Sequence, residues 1–288
     1  MWMPTQMEWM TAAQCVQQEE KERIGKFVFK KDAKSAMVGR LLIRRVVSFM
    51  LGIPYRCVKL ARTERGKPYL LSPTDGKTPR LGCNFNISHQ GDYVVIAAEA
   101  DRLVGVDIMK VEWPRNTPVQ DFFRTMDRQL TVQEWATVRK GAGDMDQLKA
   151  FYRFWCLKES FVKALGTGIG FEVARLNFNT VSDNLVADHI TRSTTLRVDG
   201  APVSNWLFEE TMLEDHCVAV ASRPETSEEA EMPSTKSGDE PWSAEGQFTV
   251  WSVQELLSDC QPLLGSQPDK AYWDNFSAKE EEPQGNKS

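Results

Sequence analysis

Between Trp155 and Lys163 the chain reads Trp-Cys-Leu-Lys-Glu-Ser-Phe-Val-Lys, three ionic side chains set into an aromatic and apolar stretch. Leu148, Phe151, Tyr152, Trp155 and Val162 recur at the three-and-four spacing of a buried helix face. Glu159 lies one turn after Trp155 and one turn before Lys163, so it continues that stripe. A carboxylate held beside a core face, with a lysine one turn on, suits a divalent cation and a phosphate. Taken alone it reads first as an ordinary Glu–Lys pair on a half-exposed helix, worth about a few tenths of a kcal/mol.

Two distant segments carry matching chemistry. In Phe85-Asn86-Ile87-Ser88-His89-Gln90 a strand ends in a turn bearing a hydroxyl, an imidazole and an amide, groups suited to phosphate or metal-bound water. In Gly105-Val106-Asp107-Ile108-Met109-Lys110 a carboxylate sits inside an apolar strand, where it is costly unless paired or metal-bound. Asp107 from a strand and Glu159 from a helix, with phosphate oxygens and waters, make a Mg²⁺ site. Each element also has a plainer reading: a turn histidine, an aspartate satisfied by backbone or arginine, a surface ion pair.

The elements that must position these groups are readable from periodicity and stop signals. Residues Asp32 to Leu51 read as a helix with Ala33, Ala36, Met37 and Leu41 on one face, Gly52 as its terminator and Pro54 beyond. Arg40 and Arg44, one turn apart on it, read as a solvated face. Tyr55 to Arg62 reads as a strand and Glu64-Arg65-Gly66-Lys67-Pro68 as a turn. Three strands follow, Cys83 to Ile87, Tyr93 to Ala98 and Leu103 to Ile108, joined by polar connectors. Asp121 to Met126 is a short helix, and Thr131-x-x-Glu134 is a capping box opening another, with Trp135 inward. The Glu159 helix ends at Gly166, before the tight turn Thr167-Gly168-Ile169-Gly170. Strands at Leu176–Asn179, Thr194–Val198, Asn205–Glu210 and His216–Ala221 complete the body. A helix followed by strands occurs twice. The expected organisation is therefore α+β, with subdomains at 1–110 and 111–223 and an acidic, largely disordered tail at 224–288. Within that tail, Phe248 to Leu257 is mildly apolar and suited to docking back or to binding a partner.

Composition narrows the function classes. The 288 residues carry a formal charge of −5, but residues 224–288 carry −10, which leaves the body at +5. A basic body attracts anionic partners. No apolar run approaches the roughly 20 residues of a membrane span, and the first residues lack the pattern of a signal peptide. Six scattered cysteines without a CxxC pair, and only three histidines, point to a reducing cytosolic setting without structural zinc.

Gly66-Lys67-Pro68, Asn86-Ile87-Ser88-His89, Gly105-Val106-Asp107 and the run from Trp155 to Lys163, in this order and spacing, resemble the signatures of the Sfp-type 4′-phosphopantetheinyl transferases. The resemblance covers roughly residues 5 to 223. It implies two similar α+β subdomains with the active site in the cleft between them. It implies transfer of 4′-phosphopantetheine from coenzyme A to a serine of an acyl or peptidyl carrier protein, releasing 3′,5′-ADP. By the same analogy Asp107 and Glu159 bind Mg²⁺, and Glu159 is the base for the incoming serine. Lys163 and Lys158 hold pyrophosphate charge. Arg23, Arg62, Arg65, Gly66, Lys67, Asn86, Ile87, Ser88 and His89 hold the nucleotide, with Arg40 a further candidate on the basic surface. The implied carriers are those of fatty acid synthase, aminoadipate-semialdehyde dehydrogenase-like and formyltetrahydrofolate dehydrogenase-like proteins; a cytosolic setting follows from the cysteines, and a monomer is the default.

Two positions depart from the family pattern. Met109 stands where bacterial relatives often have a second acidic residue, so a water held by Gln90 is the expected replacement in the metal shell. The family begins with a β-strand ahead of the segment matching Trp2 to Met10, and this chain starts without it, which exposes a sheet edge. Two other classes compete with the transferase. A non-catalytic module would bind coenzyme A or a carrier without forming product. A metal-dependent nuclease would degrade nucleic acid in an EDTA-sensitive way, although the chain lacks an aromatic–basic stripe for single strands.

Overall fold

The computed structural model describes residues 2–64, 66–71, 83–167, 170–182, 184–225 and 248–281. In chain order the elements are helices α1 (Gln6–Gln14), α2 (Gln18–Gly25) and α3 (Lys30–Leu51), then strands β1 (Leu60–Arg62), β2 (Pro68–Leu70), β3 (Asn84–Gln90), β4 (Tyr93–Glu99) and β5 (Arg102–Lys110). Helices α4 (Val119–Thr125), α5 (Val132–Val138) and α6 (Asp144–Leu165) follow. Strands β6 (Leu176–Asn179), β7 (Thr195–Val198), β8 (Ala201–Val203), β9 (Leu207–Leu213) and β10 (His216–Pro224) come next, and helices α7 (Val253–Ser258) and α8 (Lys270–Ser277) close the chain. The class is α+β with antiparallel sheets, as the sequence predicts.

The chain divides into two compact units. The first takes its described residues from 1–83, 92–98 and 250–288, the second from 84–91 and 99–249. This differs from the expected break at 110/111. Strand β5 pairs antiparallel with β10 along its whole length and therefore belongs with the later strands. The 250–281 segment is not tail: it folds into α7 and α8 and adds Leu256 and Phe276 to the buried core of the first unit. The expected disorder at 226–247, the turn residues 168–169 and the end from 282 lie outside the described residues.

In the first unit, α3 ends as predicted, with Gly52 in the left-handed conformation (φ 60°). The same helix corrects the reading of its arginines. Arg40 and Arg44 are 5% and 1% exposed, not solvated. Arg44 donates to the carbonyls of Tyr55 and Val58 at 2.8 Å each. That explains why the predicted strand from Tyr55 starts as a helical turn (Tyr55–Cys57), leaving only Leu60–Arg62 extended. The chain wraps around a buried guanidinium whose donors need acceptors.

In the second unit, β5, β10 and β9 form an antiparallel sheet, with Asp107 opposite Ala219 and Gly105 opposite Ala221. Helix α6 packs on this sheet. Its Phe151, Phe154, Leu157 and Phe161 join Trp135, Phe178 and Phe208 in one core. The capping box forms as read, with Glu134 Nα donating to Thr131 Oγ1 and Thr131 Nα to Glu134 Oε2. Helix α6 stops at Gly166 (φ 67°), again as read.

Candidate functional site

The site of the second unit depends on how closely α6 approaches β5. Alternate residues of a strand share a face, so Gly105, Asp107 and Met109 all lie toward α6. On the helix, the small residues Cys156, Ser160 and Ala164 recur every fourth position and face the strand. A Cβ on Gly105 would stand 2.1 Å from the Ser160 carbonyl oxygen and 2.3 Å from the Ala164 nitrogen, so only glycine fits there. The Cys156 thiol reaches the Asp107 carbonyl at 3.1 Å and pins the strand backbone at that carboxylate. The stripe of small residues was the sequence signal for this contact, and it was missed. Gly105→Ala is expected to cost about 1–3 kcal/mol by overpacking and to reduce activity with it. A urea midpoint and a turnover both equal to wild type would refute this packing.

This approach brings three of the expected side chains together. Lys163 Nζ donates to Asp107 Oδ1 at 2.5 Å and to Ser88 Oγ at 2.8 Å. The Ser88 hydroxyl donates to the same Asp107 oxygen at 2.8 Å. Asp107 is 4% exposed, and its other oxygen, Oδ2, is buried with no hydrogen-bond partner. Glu159, half-buried one turn before Lys163, has its carboxyl pushed above the ordinary carboxylate range, by burial first and by the negative Asp107 second, with Lys163 pulling the other way. Two carboxylates that repel each other, one with an orphaned buried oxygen, form a donor set for a hard cation. No group of three or more His, Cys, Asp or Glu that could hold a metal occurs among the described residues.

Strand β3 lies along β5 and is fastened by every second side chain. Asn84 Nδ2 donates to the Arg102 carbonyl and Asn86 Oδ1 accepts from Val106 Nα at 3.0 Å. Gln90 Oε1 accepts from Lys110 Nα. Gln90, expected to hold a metal-bound water, bonds the β5 backbone through its side-chain amide oxygen, and Met109 packs into the neighbouring core. Ile87 is partly buried and His89 is exposed on the same strand.

Lys158 requires the clearest correction. Expected at a pyrophosphate, it is 0% exposed. Its ammonium donates to the Val173 and Leu176 carbonyls at 2.9 and 2.7 Å and pairs with Glu134, itself buried, at 2.8 Å. An ammonium has three protons, and these partners use them all. Positions 155, 159 and 163 make one row along α6, whereas 158 lies on the row turned into the core.

The first unit holds a second charged cluster, centred on a residue that sequence reasoning missed. Glu20 on α2 is 7% exposed and surrounded by three guanidiniums. Arg62 Nε and Nη2 donate to it at 2.8 and 3.0 Å, Arg23 Nε donates at 2.9 Å, and Arg40 Nη1 stands 3.6 Å away. Burial pushes the Glu20 carboxyl up, and the three arginines outweigh that, holding it below the ordinary range. Arg40 is pulled down to about 10, by burial foremost, and remains charged near neutral pH. Its Nε and Nη1 lack hydrogen-bond partners. The cluster carries a net charge of about +2 with unused donors, which suits a phosphate. Arg62 also donates to the Gly66 carbonyl at 2.6 Å, and Gly66 takes φ 82° to present it. Burial draws the Lys67 ammonium below its ordinary value. Arg65 lies outside the described residues.

A strand aspartate, a helix glutamate and a lysine on an α+β framework, with a separate arginine cluster, suit an enzyme of phosphate chemistry. The comparisons place it. Residues 1–101 match the family model described as 4′-phosphopantetheinyl transferase, N-terminal, and residues 103–221 match that of the 4′-phosphopantetheinyl transferase superfamily. The chain is 44% identical, over 98% of its length and 90% of the relative's, to the L-aminoadipate-semialdehyde dehydrogenase-phosphopantetheinyl transferase of Homo sapiens. It is 40% identical, over 72% of its length and 69% of the relative's, to a phosphopantetheinyl transferase of Thraustochytrium. It is 27% identical, over 60% of its length and 70% of the relative's, to the 4′-phosphopantetheinyl transferase of Bacillus subtilis. The chain belongs to the 4′-phosphopantetheinyl transferase family.

Proposed function

We propose that this chain transfers 4′-phosphopantetheine from coenzyme A to a serine of an acyl or peptidyl carrier protein, with Glu159 as the base. The observation that carries the residue assignment is the Asp107–Ser88–Lys163 hydrogen-bonded triangle beside a half-buried Glu159 of raised proton affinity. In the reaction the serine oxygen bonds to the β-phosphorus of coenzyme A. The phosphoanhydride bond breaks, and 3′,5′-ADP leaves with the electron pair. Glu159 takes the hydroxyl proton, directly or through a water, and its raised proton affinity suits that task. Lys163, oriented by Asp107 and Ser88, balances charge on the pyrophosphate. The arginines around Glu20, with Lys67, hold nucleotide phosphates. Buried Lys158 has no part in this reading.

Asp107 and Glu159 are the residues that would hold Mg²⁺, which when bound stabilises negative charge developing on the transferring phosphoryl group. The Glu20 arginines and the +5 body suit the polyanionic substrate and an acidic carrier. We place the protein in the cytosol as a monomer, on the sequence reading. The carriers proposed are fatty-acid-synthase and aminoadipate-semialdehyde-dehydrogenase types, the second in keeping with the name of the human relative, together with formyltetrahydrofolate-dehydrogenase types. Chelation with EDTA should stop release of 3′,5′-ADP and added Mg²⁺ should restore it, whereas Asp107→Asn should require more Mg²⁺ for half-maximal rate. ADP release that ignores EDTA would remove the metal from this account.

A further inference from the structure

Residues 263–281 lie beyond both family segments, which end at 101 and 221. They nevertheless fold against the helix that bears Glu20 and Arg23. The last carbonyls of a helix have no partner within it, and they form the negative end of its dipole. At the end of α2, Lys279 Nζ donates to the Gly25 carbonyl at 2.9 Å and to the Phe27 carbonyl at 2.6 Å. The Arg23 and Ile24 carbonyls already accept from the backbone of Lys26 and Phe27, so this ammonium satisfies the last helical carbonyl, that of Gly25, and the turn just beyond it.

The same segment holds α2 along its side. Tyr272 Oη donates to the Lys21 carbonyl at 3.1 Å, and Lys21 Nζ reaches Asp269 at 2.7 Å while lying over the Tyr272 ring. Gly25 lets that ring approach, since a Cβ there would stand 3.3 Å from it. The Glu280 carbonyl accepts from Lys30 Nα at 2.7 Å, at the start of α3. Helix α3 carries Arg40. Two helices that supply the arginine cluster are therefore fixed by one short stretch of chain. A cleft of about 1130 Å³ in this unit includes Arg23, Arg62 and residues 263–270 in its lining.

We infer that Lys279, with the segment around it, is a positioning element for the phosphate-holding arginines, setting α2 so that Glu20 gathers Arg23, Arg40 and Arg62. Lys279 is itself neither a catalytic nor a substrate-binding residue. The inference rests on the reading of that cluster as a coenzyme A phosphate site.

The test uses the full chain with Lys279→Ala, Lys279→Gln and Lys279→Arg. It reads KM for coenzyme A, KM for an apo carrier protein, kcat, and the Kd of coenzyme A by calorimetry. Lys279→Ala should raise KM and Kd for coenzyme A by about three- to tenfold, with the carrier KM and kcat within about twofold, and Lys279→Arg should restore wild-type values. Loss of active protein alone would lower kcat and leave both KM values in place. If Lys279→Ala lowers melting temperature or kcat without moving the coenzyme A constants, the inference is wrong. If Lys279→Ala does not fold, Lys279→Gln decides, and an unchanged Kd for coenzyme A overturns the inference. A wild-type chain that neither binds coenzyme A nor transfers from it overturns the transferase reading and this inference with it. A wild-type chain that transfers, beside a Lys279→Ala that behaves identically, overturns this inference alone.

Discussion

Glu159→Gln lowers phosphopantetheine transfer about 10²- to 10⁴-fold, the span of a positioned general base, and leaves the fold in place. The substitution keeps the size of a half-buried side chain and removes only its ability to take a proton and carry charge. Its effect on stability has a definite sign. The folded-state pKa of Glu159 is raised above its ordinary 4.5, by burial first. Its ionised form is therefore penalised in the folded protein. The penalty is absent below pH 4.5 and grows as pH rises through the interval between the unfolded and folded values. Without divalent metal at neutral pH, Glu159→Gln should melt at or above the wild-type temperature, and the difference should vanish toward pH 4. Mg²⁺ should raise the melting temperature of wild type more than that of the variant, because a ligand that binds only the folded state stabilises it. A variant that transfers at the wild-type rate would take Glu159 out of the mechanism.

Lys158→Ala destabilises by about 3–5 kcal/mol, the cost of leaving one partner of a buried ion pair alone. Glu134 is 1% exposed and would keep its backbone donors at Thr131 and Phe178 but lose its counter-charge. The carbonyls of Val173 and Leu176 would lose a donor as well. The Lys158→Ala/Glu134→Gln double variant should recover part of the loss, because the uncompensated charge is gone. Denaturant unfolding of the two singles and the double gives the coupling directly. A Lys158→Ala protein that unfolds like wild type but shows a raised KM for coenzyme A would return this lysine to the phosphates, where its place in the motif had put it.

Neighbouring positions in one motif thus part company, and the reason lies in what a sequence can and cannot display. Helical spacing showed that Glu159 and Lys163 share a row with Trp155, and that row does reach Asp107. It could not show that the row through 158 meets a buried carboxylate from α5, because that pairing joins residues 24 positions apart. Charge was the misleading signal at Arg40, Arg44 and Lys158 alike. By type each suits a surface or a bound phosphate, and each is buried where the fold supplies partners: the Glu20 charge for Arg40, the Tyr55 and Val58 carbonyls for Arg44, and Glu134 with two carbonyls for Lys158. Local signals did better. Gly52 and Gly166 ended their helices as read, because each takes a left-handed conformation that a side chain disfavours. Capping boxes were legible wherever they were sought. Thr131-x-x-Glu134 was read, whereas the same pattern at Thr5-x-x-Glu8 and Ser252-x-x-Glu255, which opens α1 and α7, went unread. The second of these opens α7 inside Phe248 to Leu257, the stretch read as suited to docking back, and Leu256 is indeed buried in the first unit. Glu20 could not be found by type at all, since its importance comes from three arginines gathered from α2, α3 and β1.

Transfer from coenzyme A to a carrier serine by the residues around Asp107 and Glu159 can be read on the carrier itself. The most direct measurement is intact-mass spectrometry of a purified apo acyl carrier protein after incubation with this chain, coenzyme A and Mg²⁺. A mass gain of one phosphopantetheine on a single serine is expected, absent with EDTA and absent with Glu159→Gln. A folded chain that binds coenzyme A yet leaves the carrier mass unchanged would contradict it and identify a binding module instead.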